Sequence, residues 1–202
     1  MPKRIAIVDV SIIAGVSLMY VALEALHAAK RWSFLAVGMA LVTYALWLVR
    51  RRSDSWTDLG FRTDNLRGAL LPFGAATLAA GVCIAAWARA HGRAHWDREV
   101  FILLALYPAW AVAQQVAFQG LLHRRLMVLL RSSVLQVLIT AAAFAAVHAG
   151  NPTLVALTFV AGVLWSLLYR RWPNIWLLGA SHSLLAALAY PLVLGDKPWS
   201  RL

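Results

Sequence analysis

Three glutamines inside one apolar run, Gln114, Gln115 and Gln119, and one isolated histidine in each of two later apolar runs, His148 and His182, are the residues of this chain best equipped for chemistry. An imidazole titrates near neutral pH, so it can take a proton from water or hand one to a leaving group. A carboxamide can orient a water as donor or acceptor, but it takes no proton at neutral pH. Gln115 and Gln119 are four residues apart and share one face of an α-helix, with Gln114 about 100° around it. In apolar surroundings such amides need protein or water as partners. The expectation is therefore that the helices carrying the glutamines, His148 and His182 converge on one buried polar site.

The elements that must position these residues are membrane spans. Of the 202 residues 62% are hydrophobic and 13% charged, and the mean hydropathy is +0.71. A soluble domain is nearer half apolar and a quarter charged. An integral membrane protein follows, expected as a single transmembrane domain over 1–202. On a ruler of about 20 apolar residues per crossing, seven spans are predicted near 5–27, 33–49, 68–90, 99–119, 133–149, 153–169 and 175–194. The fold class expected is thus all-α, a polytopic transmembrane bundle of about seven spans. The apolar run behind Lys3 and Arg4 reads as an uncleaved first helix. The net charge of +11 sits in the short gaps between runs, a pattern of orientation and anionic-lipid contact instead of nucleic-acid binding. Twelve Lys and Arg on one side of a seven-span arrangement against seven on the other place the N-terminus in the cytoplasm.

Other polar groups read as structural. Asp9, Glu24 and His27 lie toward the ends of the first span, where they can reach the interface. The loop from Arg50 to Leu66 holds Asp54, Asp58 and Asp64 among arginines and reads as a solvated loop with internal charge pairing. Leu121 to Arg131 reads as a basic amphipathic extension along the headgroups, with His123, Arg124, Arg125 and Arg131 turned to the surface. Trp47, Trp56, Trp96, Trp172, Trp176 and Trp199 read as interfacial anchors. Thr158, Gly162 and Ser166 form a small-residue stripe that admits a neighbouring helix. The single cysteine, Cys83, excludes an intramolecular disulfide. Two histidines with amides make a poor ligand set, so neither a metal nor another cofactor is expected.

The order Gln114-Gln115-Val-Ala-Phe118-Gln119-Gly120, then Phe144-Ala-Ala-Val-His148, then His182-Ser-Leu-Leu-Ala186 resembles the CPBP family of intramembrane glutamic endopeptidases. That family includes the type II CAAX prenyl endopeptidases and bacterial bacteriocin-processing proteins. Its motifs run EExxxR, FxxxH and HxxxN. The loop Asp58-Leu59-Gly60-Phe61 is also similar, and the resemblance covers about residues 55–190. It implies a water-activating glutamate at the position of Gln114, a companion glutamate at Gln115 and an arginine at Gln119. It further implies a histidine sharing the water at His148, and an oxyanion-stabilising pair at His182 and Ala186. Phe118, Phe144, Ser181 and Ala186 are expected to line the substrate's place.

The departures touch the chemistry. Gln114 can orient water but cannot be the general base, and Ala186 removes a donor of a kind worth about 10²–10³ in rate. Changing the companion glutamate alone would strand a buried arginine, at about 3–5 kcal/mol, whereas glutamine at both positions keeps the site neutral. The pattern reads as a site retuned or retired as a unit, with Gln115 and Gln119 free to bond each other or the histidines. Neither glutamate of the chain replaces the base simply: Glu99 is fifteen residues from Gln114, more than about 20 Å along a helix, and Glu24 would need the first span in the site.

The resemblance implies an endopeptidase of the bacterial inner membrane acting on a membrane-embedded or prenylated peptide, with lipids as its other partners. Two alternatives stand beside it: a family member without turnover that binds or regulates, and a non-proteolytic enzyme using His148 and His182 on a lipid or prenyl substrate. A transporter is disfavoured, because no inverted repeat or pair of broken spans is seen.

Overall fold

In the computed structural model, residues 1–26, 30–51, 54–93 and 98–196 are described, without the side chains at 24 and 30–35. The expectations placed on Glu24, His27, Trp96 and Trp199 lie outside this set. Helices α1 (Lys3–Ala25), α2 (Lys30–Arg50) and α3 (Leu66–Ala90) are followed by α4 (Arg98–Gln115). The last runs without a break through a π-helical segment, Val116–His123, into α5 (Arg124–Leu129). Then come α6 (Ser133–Ala146), α7 (Pro152–Arg171) and α8 (Ile175–Ala189), which ends in a second π segment, Tyr190–Leu194. No strand occurs among the described residues. Five of these helical stretches are long and apolar enough to cross a membrane, while Ala36–Arg50 and Ser133–Ala146 are shorter apolar helices. The all-α bundle and its seven apolar segments match the spans read from the sequence.

The later helices begin where local chemistry starts them. Ser132 caps α6 by accepting from the Leu135 amide, Asn151 caps α7 by accepting from the amides of Thr153 and Leu154, and Asn174 caps α8 by accepting from that of Leu177. Each side-chain oxygen satisfies donors that the first helical turn leaves unpaired. Pro152 adds a residue pre-set for the first turn of α7. Close packing follows the small residues. A Cβ on Gly162 would stand 2.9 Å from the Cα of Ala141, and one on Gly179 would stand 2.4 Å from a methyl of Val112. These glycines let α7 lie on α6 and α8 on α4. The stripe of Thr158, Gly162 and Ser166 is thus a packing surface, as expected, although Ser166 also has a polar role.

The loop before α3 is fastened to the end of the bundle that holds the π segment. Gly60 adopts φ +93, a conformation that side-chain-bearing residues resist. Its carbonyl accepts from the Ile175 amide at 2.8 Å, and the Leu59 carbonyl accepts from the Tyr169 hydroxyl at 3.1 Å. Across from it Gly120 leaves room for the Leu59 carbonyl, which a Cβ there would meet at 2.8 Å.

Three structural expectations are corrected. Arg125 is fully buried and Asp9 only 2% exposed. Arg125 Nε donates to Asp9 at 2.7 Å and its terminal nitrogens donate to both oxygens of Asp54. Tyr44 donates to the other oxygen of Asp9 at 2.6 Å. Asp9 therefore does not reach for the interface. The segment from 121 to 131 is not a headgroup-facing basic surface either, because His123 is buried as well. Among its described residues the loop pairs internally only at Arg62–Asp64; Asp54 and Asp58 reach out to Arg124 and Arg125. The physical reason is common to all three. A guanidinium is retained inside when carboxylates from other elements complete its hydrogen bonds, and here α1 and the loop supply them.

Candidate functional site

The lower half of α4 and the middle of α8 form the core of the site. Gln115 Nε2 stands 3.2 Å from His182 Nδ1. An amide nitrogen can only donate, so Nδ1 accepts and the ring proton of His182 resides on Nε2. Nε2 lies 3.4 Å from the hydroxyl of Tyr107, which in turn donates to Gln114 Oε1 at 3.5 Å. A directional chain results: Gln115 to His182, His182 to Tyr107, Tyr107 to Gln114.

His148 follows α6 in a turn, and its Nδ1 is 2.8 Å from the carbonyl oxygen of Phe144. The carbonyl can only accept, so Nδ1 carries the proton and Nε2 keeps its lone pair. The phenyl ring of Phe144 meets the imidazoles of both His148 and His182 edge-on, with centroids at 5.0 and 5.5 Å. The same ring touches Phe118 at 5.2 Å and Trp165 at 5.7 Å. Trp165 also lies against His182, at 4.8 Å between centroids. The two histidines therefore flank one aromatic side chain, contributed by the residue that precedes His148 by four.

The remaining residues singled out from the sequence fall as follows. Gln119 is buried, but its Nε2 donates to Ser166 Oγ on α7 at 2.9 Å, and it joins neither Gln115 nor a histidine. The π turn accounts for this: each such turn takes up an extra residue, so position 119 is rotated off the face that an α-helix would share with 115. Ser181 Oγ is 2.7 Å from Thr77 Oγ1 and accepts from Trp165 Nε1 at 3.0 Å. Ala186 packs, half-buried, on the cluster of Leu103, Tyr107, Ala111 and Ala187. Among the described residues Gln115 Oε1, Gln119 Oε1 and Ser183 Oγ, and away from the histidine pair His123 Nε2, are buried without a hydrogen-bond partner. Acceptors left so cost on the order of 1–3 kcal/mol each, which fits a site meant to receive a donor. No group of three or more His, Cys, Asp or Glu able to hold a metal occurs among the described residues.

Tyr107, Trp165, Thr77 and Ser166 were not assigned to the site from the sequence. A signal existed for Tyr107, which precedes Gln114 by seven residues and so lies on its face of the helix, and whose hydroxyl must find a partner in an apolar run. For Trp165 and Thr77 no periodicity pointed to the site, because both reach it from other helices.

Residues 95–188 match the family described as Rce1-like, type II CAAX prenyl endopeptidase Rce1-like. No curated protein and no solved structure matches the chain. The matched stretch begins after the 58–61 loop and contains all three motifs, from Gln114 to Ala186. The resemblance read from the motif order is therefore shown over these residues: this is an integral membrane protein, a helical bundle similar to the Rce1-like type II CAAX prenyl endopeptidases of the CPBP family.

Proposed function

We propose that the protein is an intramembrane endopeptidase acting on a prenylated or membrane-tethered peptide, with His148 as its general base. The observation that supports this most is the hydrogen bond from His148 Nδ1 to the Phe144 carbonyl. It leaves Nε2 as an unprotonated nitrogen beside an aromatic ring shared with His182. In the family pattern a glutamate at position 114 takes the proton; Gln114 cannot, and a positioned imidazole is worth about 10²–10⁴ in that role. Gln114 and Gln115 hold water and imidazole in place. Membrane lipids are the surrounding partners, the bacterial inner membrane the setting, and the N-terminus cytoplasmic.

The test is cleavage of a library of prenylated peptides by the purified protein in nanodiscs, beside His148→Ala and His182→Ala. Turnover lost in both variants supports the hydrolase. A second reading draws on the amides at 114 and 115 and on the buried acceptors without partners: a site that binds without cutting. Peptide binding without turnover, abolished by the same two substitutions, would select it.

A further inference from the structure

Ala186 brings no donor to the site, so on α8 His182 stands alone where a developing oxyanion would need two. We propose that the second donor comes from α4: Tyr107 is a catalytic residue whose phenolic O–H, with His182 Nε2–H, clamps the carbonyl oxygen of the bond to be cut. This rests on the hydrolase reading.

The geometry points there by three steps. First, the tautomer of His182 is set by Gln115, whose amide nitrogen occupies Nδ1 at 3.2 Å and leaves Nε2–H to face Tyr107. Second, the Tyr107 hydroxyl also hydrogen-bonds with Tyr190, and its contacts within the site are both at the outer limit for a hydrogen bond, 3.4 Å to His182 Nε2 and 3.5 Å to Gln114 Oε1. Two donors that far apart are poorly satisfied by each other. Both can reach one oxygen placed at about 2.8 Å from each, the geometry that stabilises a developing oxyanion. Third, Tyr107 is only 8% exposed, its ring set against those of His182 at 5.5 Å and Tyr190 at 6.4 Å. The hydroxyl is thus positioned before any substrate arrives, in surroundings where a charge-directed hydrogen bond is strong.

In the step this serves, His148 Nε2 takes one proton from water as the water oxygen bonds to the peptide carbonyl carbon. The carbonyl π pair moves onto its oxygen, where Tyr107 O–H and His182 Nε2–H hold it. When that pair returns, the C–N bond breaks and the departing amine takes the proton from His148. Tyr107 and His182 end as they began.

The experiment compares wild type with Tyr107→Phe, which keeps the ring and removes the O–H. The expected result is a kcat lower by about 10²–10³, a KM within a few-fold of wild type, and an unchanged thermal midpoint. A kcat within a few-fold of wild type overturns the proposal. If the wild type itself turns nothing over, the hydrolase reading falls, and the clamp is judged by binding. The probes are a prenylated peptide phosphinate, which places an anionic oxygen at the scissile position, and its reduced isostere, which has no oxygen there. Wild type favouring the phosphinate by at least about tenfold, a preference Tyr107→Phe abolishes, supports the clamp. Equal affinities for the two probes in the wild type, or a preference that survives the substitution, overturn it.

Discussion

Two buried polar regions of this bundle solve the same physical problem in opposite ways. Around Arg125 every charge is answered: Asp9 and Asp54 close on it from two other elements, Tyr44 from a third donates to Asp9, and Arg124 links Asp54 to Asp58. Around His182 no such charge is met among the described residues. Neutral amides, imidazoles and hydroxyls meet at 3.2 to 3.5 Å, and the acceptor oxygens of Gln115 and Gln119 stay unpaired. In the first region the charges are paired within the protein, although His123 Nε2 nearby has no partner, and so it reads as structure. The second has hydrogen-bonding capacity left over, and so reads as a place for a substrate. Intramembrane charge alone would have directed attention to the first region.

The comparison is broken most directly by opening the charged region. Arg125→Met leaves the Asp9 carboxylate buried with only Tyr44 as partner among the described residues, and should cost about 3–5 kcal/mol in unfolding experiments in detergent. Adding Asp9→Asn should return part of that loss, since the stranded charge goes with it. A single substitution no worse than about 1 kcal/mol would mean that water enters the region, and the description of it as closed would fail.

Where one region meets the other, Gly120 and Leu59 make a backbone contact with no room for a methyl group. Gly120→Ala puts a Cβ 2.8 Å from the Leu59 carbonyl oxygen, so the 58–61 loop must shift. The expected loss is about 1–3 kcal/mol, together with faster proteolysis of the loop. Unchanged stability would show that the loop is not held where the structure has it.

What the sequence disclosed, and what it hid, divides along the same line. Seven apolar runs are local signals, so the bundle could be read directly, whereas the caps Ser132, Asn151 and Asn174 came from the structure. His148 and His182 stood out because each is alone in an apolar run, and of the partners left open for Gln115, Gln119 or a histidine, the structure has His182. The environment of Arg125 was hidden, because its carboxylates come from residues 116 and 71 positions away, and a basic stretch looks the same whether it faces headgroups or buried acids. Gln119 was misdirected for a different reason. The rule that residues four apart share a face holds for an α-helix, and the chain is π-helical from Val116 to His123.

The Gln119–Ser166 contact sharpens the comparison from the neutral side. Ser166→Ala takes the acceptor from a buried amide nitrogen whose own oxygen already has no partner, and should cost about 1–3 kcal/mol. Gln119→Leu removes both amide groups, while the serine hydroxyl can turn to a carbonyl of its own helix. It should change stability by less than about 1 kcal/mol. The reverse order in thermal unfolding would mean that Gln119 has partners elsewhere.

The smallest effect expected is at the exposed end of the charged chain, and it is read by pH. Desolvation alone would push the pKa of Asp58 up, but hydrogen bonds from the Ser55 hydroxyl and amide and the charge of Arg124 outweigh it and hold the carboxyl below the usual aspartate range. A carboxyl depressed by folding stabilises the folded state above its ordinary value near 3.9, and that contribution is lost as pH falls through the lower folded value. Stability from this group should therefore be level between pH 8 and about 5 and decline only below about 4. Because the Asp58 side chain is 45% exposed, solvent and salt screen it, and the decline it causes should be no more than about 1 kcal/mol. Comparing unfolding of wild type and Asp58→Asn across that range isolates it: the difference between them should shrink as the pH drops. A difference that grows with acid would mean that Asp58 is held in its neutral form instead, and the chain of charge from Arg125 outward would end at Asp54.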